Sequence, residues 1–313
     1  MAKKTSRAAR PSRILTFTQN NDDEGLRDPE QEDKEKITSF IVTFELGHHS
    51  NIKQTVVSSA KGKVKDIFQT IPDWLELKAK TNLDAHNIKL AFNNSLASYV
   101  KPTRENGYKE YEYIDNTLPP QIINGKAVLK GKSIESFKDS AAHDRSYCYI
   151  TNNGKLRHKI FTMEEVEMYK GDKNNKDSLG KWFLENNVWQ TMNMSCVLVD
   201  NGKVVLDKKK VSSGASARTS IGQKEDGTFV VMAVNGKSGQ FGITHWMEAQ
   251  RMKELGCVRV YSLDGGGSTT LWYNGTVVTL GTDPKNGIRS KKYESYEYGT
   301  MYLRKRSQCM YLV

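Results

Sequence analysis

The clearest chemistry in the sequence lies in one short run, Asp264-Gly265-Gly266-Gly267-Ser268-Thr269. Successive glycines let backbone amides approach a ligand with no side chain between them, and N–H groups exposed in a turn bind anionic oxygens. Asp264 adds a carboxylate able to exchange a proton or hold a sugar hydroxyl, and Ser268 adds a hydroxyl. The run outlines an anion or sugar cradle, although a tight bend between two strands would call for the same glycines. Arg218-Thr219 stands upstream, where a guanidinium would be a natural bidentate partner of phosphate and a solvated charge is the plainer alternative. The six histidines include no HxH or HExxH spacing, so no metal and no cofactor are expected. The four cysteines, Cys148, Cys196, Cys257 and Cys309, lie far apart without CxxC spacing and read as small buried hydrophobes in a reducing setting.

The elements that must position these residues are punctuated clearly after residue 193. MSCVLVD, Asn201-Gly202 and KVVLD form a hairpin signal, and RTSIGQ pairs with TFVVMAVN across Glu225-Asp226-Gly227. Thr244 is an N-cap for HWMEAQRMKEL, and Gly256 closes that helix. Trp246, Ala249, Met252 and Leu255 recur every third residue and are expected to form the stripe that lies on a sheet. Next come the strand CVRVYSL, the glycine run, the strand TTLWY, the turn Asn274-Gly275 and the strand TVVTL. Earlier in the chain, ITSFIVTFE from Ile37 reads as a strand, Val64 to Ile71 as a short helix before Pro72, and Thr162 with Glu165 as a capping box. The polar, Tyr- and Asn-rich stretch from residue 99, with Pro119 and Pro120, reads as a surface excursion, so irregular insertions are expected within 99–190.

The 313 residues carry 47 Lys and Arg against 36 acids, a net charge of +11 that raises anionic partners without selecting one. Lys208-Lys209-Lys210 and Arg304-Lys305-Arg306 are solvated clusters on this reading, and nothing supports nucleic acid. No apolar run approaches the ~18 residues of a helical membrane span, and the basic start lacks the apolar core of a secretory signal. Five basic residues and no acid fill positions 1–13, and eight acids fall within 22–35. That segregation reads as a flexible arm over 1–36, with one domain over 37–313. The expected fold is α+β: a mixed twisted sheet flanked by helices.

Several segments together resemble the phosphodiester glycosidase family. AFNNS at 91–95, PPQIINGK at 119–126, LVDNGK at 198–203, RTSIG at 218–222, GIT at 242–244 and ELGCVRVYSLDGGGSTTLWYNG at 254–275 follow the family's order. The match is dense over 195–280 and patchy over 88–160. Two positions depart from it: Asn93-Asn94-Ser95 stands for Asn-Gly-Gly, and Asn235-Gly236-Lys237 for Asp-Gly-Arg. The resemblance implies hydrolysis of a sugar–phosphate bond in a glycan phosphodiester such as a cell-wall or surface polymer. Asp264 would be acid/base or nucleophile, Arg218 would hold the phosphate, and the amides of Gly265, Gly266 and Gly267 would stabilise negative charge. Asn93 and Asn94 would orient sugar hydroxyls, and Thr219, Asn235, Thr244 and Ser268 would complete the substrate contacts. Because relatives of the family occur in bacteriophage tails, the alternative is a non-catalytic structural or receptor-binding virion component, with the arm contacting other virion proteins. On this reading the chain is virion-associated or cytoplasmic.

Overall fold

The computed structural model describes residues 10–26, 37–56, 87–94, 99–105, 108–113, 121–128, 146–165, 182–193, 196–206, 214–236, 242–279, 288–295, 299–303 and 308–313. In chain order Arg13–Asn20 (β1), Ser39–Glu45 (β2), Ile52–Val56 (β3) and Leu90–Asn93 (β4) come first. Tyr99–Glu105 with Tyr108–Tyr113 (β5, β6) and Gln121–Ile123 with Lys126–Val128 (β7, β8) are hairpins. Ser146–Thr151 (β9), Leu156–Ile160 (β10) and Val188–Asn193 (β11) follow, then Cys196–Asp200 (β12), Lys203–Val204 (β13), Arg218–Lys224 (β14) and Phe229–Val234 (β15). The helix His245–Glu254 (α1) leads into Cys257–Ser262 (β16), Leu271–Tyr273 (β17), Thr276–Val277 (β18), Ile288–Ser295 (β19), Gly299–Leu303 (β20) and Gln308–Leu312 (β21).

The largest sheet has seven strands in the order β1-β2-β15-β14-β16-β12-β13, and every ladder in it is antiparallel. β14 lies between β15 and β16, so the β15–α1–β16 connection runs over one face of the sheet. That face buries Ile41, Val230, Met232, Val234 and Val260 against Ala249 and Met252 of α1. Alternate residues of the same strands point the other way. Phe40, Val42, Phe44, Phe229, Val231, Ala233 and Tyr261 pack against Leu90, Phe92, Leu271 and Met310 of a five-stranded sheet, β18-β17-β4-β21-β3. They also meet Cys148 and Ile150 of the three-stranded sheet β10-β9-β11. β15 reads as an unbroken apolar run, FVVMAV, because both of its faces are covered. The α+β expectation therefore holds, with packed antiparallel sheets in place of one mixed sheet.

Two further expectations change. The segment read as an arm contributes β1, paired with β2 from Arg13↔Glu45 to Asn20↔Ser39. Its residues are exposed or half-buried because it is the sheet's edge, and so its sequence looks like that of a tail. Residues 1–9 and 27–36 of that segment lie outside the described residues. Where irregular insertion is expected, the described residues are largely strands: β5 to β8 in hairpins and β9 to β11 in a sheet. Polar composition hides them because β5 to β8 stand in two-stranded ribbons. The Val64–Ile71 helix and both basic clusters fall outside the described residues.

The local signals read from sequence recur in atomic detail. Asn201 and Gly202 have φ of 48° and 72°, and Asn274 and Gly275 have 45° and 96°, as the tight hairpin turns require. The capping box closes reciprocally: Glu165 N donates to Thr162 Oγ1 at 3.1 Å, and Thr162 N donates to Glu165 Oε2 at 2.8 Å.

Candidate functional site

β14 begins at Arg218 and β15 ends at its partner Val234, while Ser262 at the end of β16 lies opposite Ser220. One end of the seven-stranded sheet thus gathers Arg218, Asn235 and the segment that starts with Leu263 and Asp264. Period-2 alternation sends Arg218, Ser220 and Gly222 to the α1 face and Thr219, Ile221 and Gln223 to the opposite face. Contacts bear this out. A Cβ at Gly222 would come within 2.8 Å of Met252 and Cys257, whereas Ile221 lies in the core shared with the second sheet.

After β16 the chain leaves the first sheet, turns through a 3-10 helix at Gly266–Ser268, and enters the second sheet as β17. The turn is pressed onto the start of β14. A Cβ at Gly265 would stand 2.8 Å from the Ala217 carbonyl oxygen and 3.4 Å from Arg218 Nη1, so residue 265 must be glycine for the backbone to approach this closely. Gly266, at φ 59°, occupies the left-handed region. Its amide donates to Ala217 O at 2.7 Å, and the amides of Ser268 and Thr269 donate to Gly265 O and Gly266 O. The expectation of a free three-amide cradle is corrected accordingly: the Gly266 amide holds the turn against β14.

Arg218 is only 9% exposed. Its Nε donates to Ile243 O at 3.2 Å and Nη2 to Gly214 O at 3.0 Å, while Nη1 lies along Gly265. A buried guanidinium fixed by two carbonyls is pre-oriented, with its remaining edge toward the glycine turn. Gly242, at φ 129°, makes this possible: the Ile243 segment bonds Ser216 through both backbone groups, and a Cβ at 242 would overlap Ser216 at 2.2 Å. Thr244 caps α1, its Oγ1 accepting from Met247 N at 3.3 Å, so that hydroxyl serves the helix.

Asn93, at the end of β4 in the second sheet, is fully buried. Its Nδ2 donates to Asp264 O at 2.5 Å, and its Oδ1 accepts from Thr219 Oγ1 at 2.8 Å and Thr270 N at 3.0 Å. The fixed backbone donor and acceptor assign the amide orientation without ambiguity. Asn93 therefore ties β14, the glycine turn and β4 together, and the expected contact with sugar hydroxyls is corrected to a structural one. Thr219 belongs to the same tie. Asn94 is also buried, and its carbonyl accepts from Asp264 N at 3.1 Å. Asp264, Gly265, Gly266, Asn235 and Thr244 are half-buried, whereas Ser268 is 1% exposed. Asn235 donates its amide to Thr38 O at 3.0 Å at the end of β15.

One residue is missed by sequence reasoning. Glu248 on α1 is fully buried, and neither carboxylate oxygen has a hydrogen-bond partner. Burial pushes its pKa up to about 7, against the opposing pull of the Arg218 charge. The Ser220 and Ser262 hydroxyls lie near enough to favour the anion, yet outside hydrogen-bonding geometry. The buried face of α1 is Glu248, Ala249 and Met252, rotated from the expected every-third-residue stripe, and Trp246 and Leu255 are half-buried. A signal did exist: Arg218 and Ser220 of β14 and Ser262 of β16 are buried polar residues on the side facing α1, where they require polar neighbours.

The arrangement offers a guanidinium for an anion at Arg218, against a glycine turn that the half-buried Asp264 begins. Among the described residues no cluster of His, Cys, Asp and Glu has the grouping of a metal site, and no helix is long and apolar enough to cross a membrane. A sequence model of the phosphodiester glycosidase family matches residues 86–293. The N-acetylglucosamine-1-phosphodiester alpha-N-acetylglucosaminidases of Bos taurus and Homo sapiens are each 38% identical over 68 residues, 22% of this chain and 13% of theirs. The chain is thus matched to about one eighth of the length of these curated relatives. The zebrafish counterpart's catalytic domain, solved as auto-inhibited by its pro-peptide, superposes with a TM-score of 0.57 at 18% identity. That superposition covers 99% of this chain and 85% of the zebrafish one, a likeness of fold.

Proposed function

Because the chain belongs to the phosphodiester glycosidase family, we propose that it hydrolyses the sugar–phosphate bond of a glycan phosphodiester. A phosphodiester-linked cell-wall or surface polymer is the substrate class. The observation that carries this reading is the contact between Arg218 and the glycine turn: a buried, pre-oriented guanidinium lies 3.4 Å from where a Cβ of Gly265 would be, with Asp264 next in the chain. Arg218 holds the phosphate as a charge-assisted pair in a site partly closed to water, where such a pair is strongest. Asp264 acts at the anomeric carbon or its leaving oxygen. Water adds to that carbon, the bond to the phosphate oxygen breaks, and the products are a free sugar and a phosphate monoester.

Glycosidases ordinarily use two carboxylates, one to protonate the leaving group and one to attack or activate water. A phosphate is already a stable leaving anion, so one carboxylate suffices here. The test is hydrolysis of a synthetic aryl sugar-1-phosphodiester by the wild type and by Asp264→Asn. Turnover by the wild type with at least a hundredfold loss in the variant is expected. Equal turnover by both would remove Asp264 from the chemistry. Binding without wild-type turnover would favour the alternative, a glycan-binding component of a larger particle such as a phage tail.

A further inference from the structure

Three features of Glu248 stand apart from the binding surface. It is sealed from solvent, its oxygens lack hydrogen bonds, and it lies over the polar pair Ser220 and Ser262 that face each other across β14 and β16. A buried carboxylate left in this state is costly unless a positive charge is near or the group takes up a proton. Arg218, two residues before Ser220 on the same face of β14, is that charge.

Other charged groups on the elements around α1 are engaged elsewhere. Asp23, beside the 3-10 turn Glu24–Leu26, pairs with Arg251 at 2.9 Å, and Arg251 also meets Glu254. Arg259 of β16 faces Asp200 of β12 at 3.9 Å. Glu24, Lys203 of β13, Lys224 of β14, and His245 and Lys253 of α1 are the other charged or titratable groups on these elements. Arg218 thus shares the α1 side of β14 with the buried acid, its Nε holding Ile243 O just before α1 and its Nη1 lying along the glycine turn.

We propose that Glu248 is a positioning residue for Arg218, balancing its charge while the site is empty and taking up a proton from solvent when a phosphodiester binds. The inference rests on the reading of Arg218 as the phosphate-binding group. A bound monoanion screens the guanidinium from Glu248 and adds its own repulsion, and both effects favour the protonated carboxyl. Binding and protonation are then linked: a ligand that raises the pKa of a group is bound more weakly as pH climbs above the pKa of the free protein. With the carboxyl of the empty site raised to about 7, that fall sets in as pH climbs above this value. A phosphodiester is fully ionised throughout this range, whereas a monoester's second ionisation near pH ~6 would obscure the effect.

The probe is an alkyl sugar C-phosphonate monoester, in which a methylene replaces the scissile glycosidic oxygen, titrated calorimetrically into the full chain in buffers of differing ionisation enthalpy. For the wild type, a Kd that weakens by up to about tenfold per pH unit above pH ~7 is expected, with net uptake of up to one proton per ligand. Glu248→Gln should bind with a flat pH dependence and no uptake. Glu248→Met, which fills the space with an apolar chain, serves the same purpose should the amide variant be unstable. Wild-type binding with neither pH dependence nor uptake, or with both undiminished in the variants, overturns the proposal. An absence of binding at every pH would instead overturn the role given to Arg218, and this inference with it.

Discussion

Replacing Asn93 by Asp changes one group at the centre of the tie, and its effect is expected to depend on pH with a definite sign. The side chain is isosteric, so the bonds accepted from Thr219 Oγ1 and Thr270 N survive. The bond donated to Asp264 O at 2.5 Å is lost, and at neutral pH a carboxylate oxygen confronts that carbonyl in a fully buried setting. Losing a buried hydrogen bond and leaving its acceptor unsatisfied costs about 1–3 kcal/mol, and burying an uncompensated charge adds to it, for a total of about 3–5 kcal/mol at pH 8. Protonation restores a donor, so the folded state raises this pKa above the ~3.9 of an unfolded aspartate. A group raised in this way contributes fully below its unfolded pKa, and the contribution is lost as pH climbs through the folded one. The variant should therefore lie within about 1 kcal/mol of the wild type at pH 4 and fall behind progressively toward pH 8. Asn93→Ala, which strands three polar groups, should show a deficit of roughly 3 kcal/mol that is independent of pH. Urea unfolding of all three proteins at half-unit pH steps is the measurement. An Asn93→Asp deficit that stays flat with pH, or an alanine deficit below about 1 kcal/mol, would refute the account of the tie.

Two other substitutions probe the same region by different routes. Gly265→Ala has no backbone strain at φ −117° but meets the Ala217 carbonyl at 2.8 Å. It should lose about 2–4 kcal/mol of stability and weaken phosphodiester binding, whereas Gly266→Ala, at φ 59° with its nearest atom at 3.4 Å, should lose about 1–2 kcal/mol; the reverse order in denaturation would sink the close-approach argument. Glu248→Gln should gain stability on the wild type as pH rises from 4.5 through about 7, by roughly 3 kcal/mol in all, because the raised carboxyl pKa makes ionisation of the folded wild type costly there. Parallel stability curves for the two proteins would show that the carboxyl is not held near neutrality.

Local chemistry was the legible part of this sequence. Asn201-Gly202, Asn274-Gly275, the Thr162 and Glu165 box and the Thr244 cap each act within a few residues, so residue type alone specifies them. The approach of the glycine turn to Arg218 was legible through motif order, since β14 and β16 are neighbours. What stayed hidden needed either distant pairing or a violated rule. Asn93 reads as an amide for sugar hydroxyls until β4 is known to lie beside β17 and β21. Glu248 breaks the rule that charge faces water, so an apolar stripe drawn from spacing passes over it. β1 reads as tail because an edge strand needs few apolar residues. Its apolar contacts come from Ile14 and Phe17, the latter stacked on Tyr273 at 4.3 Å, a partner far along the chain.

The position of β4 also bears on the order in which the molecule assembles. Residue 93 pairs beside residue 309, and its neighbours on the other side are residues 270 and 271. Such pairings close long loops before any contact rewards them, which slows folding in proportion to the sequence separation of the partners. The β12–β13 and β14–β15 hairpins join near neighbours and can form early, whereas the Asn93 tie, like the β2–β15 ladder, waits for strands more than half a chain away. Binding competence should accordingly appear in the slowest refolding phase, after the local hairpins have formed. A nascent or stressed molecule would then hold its local hairpins while its site is still open.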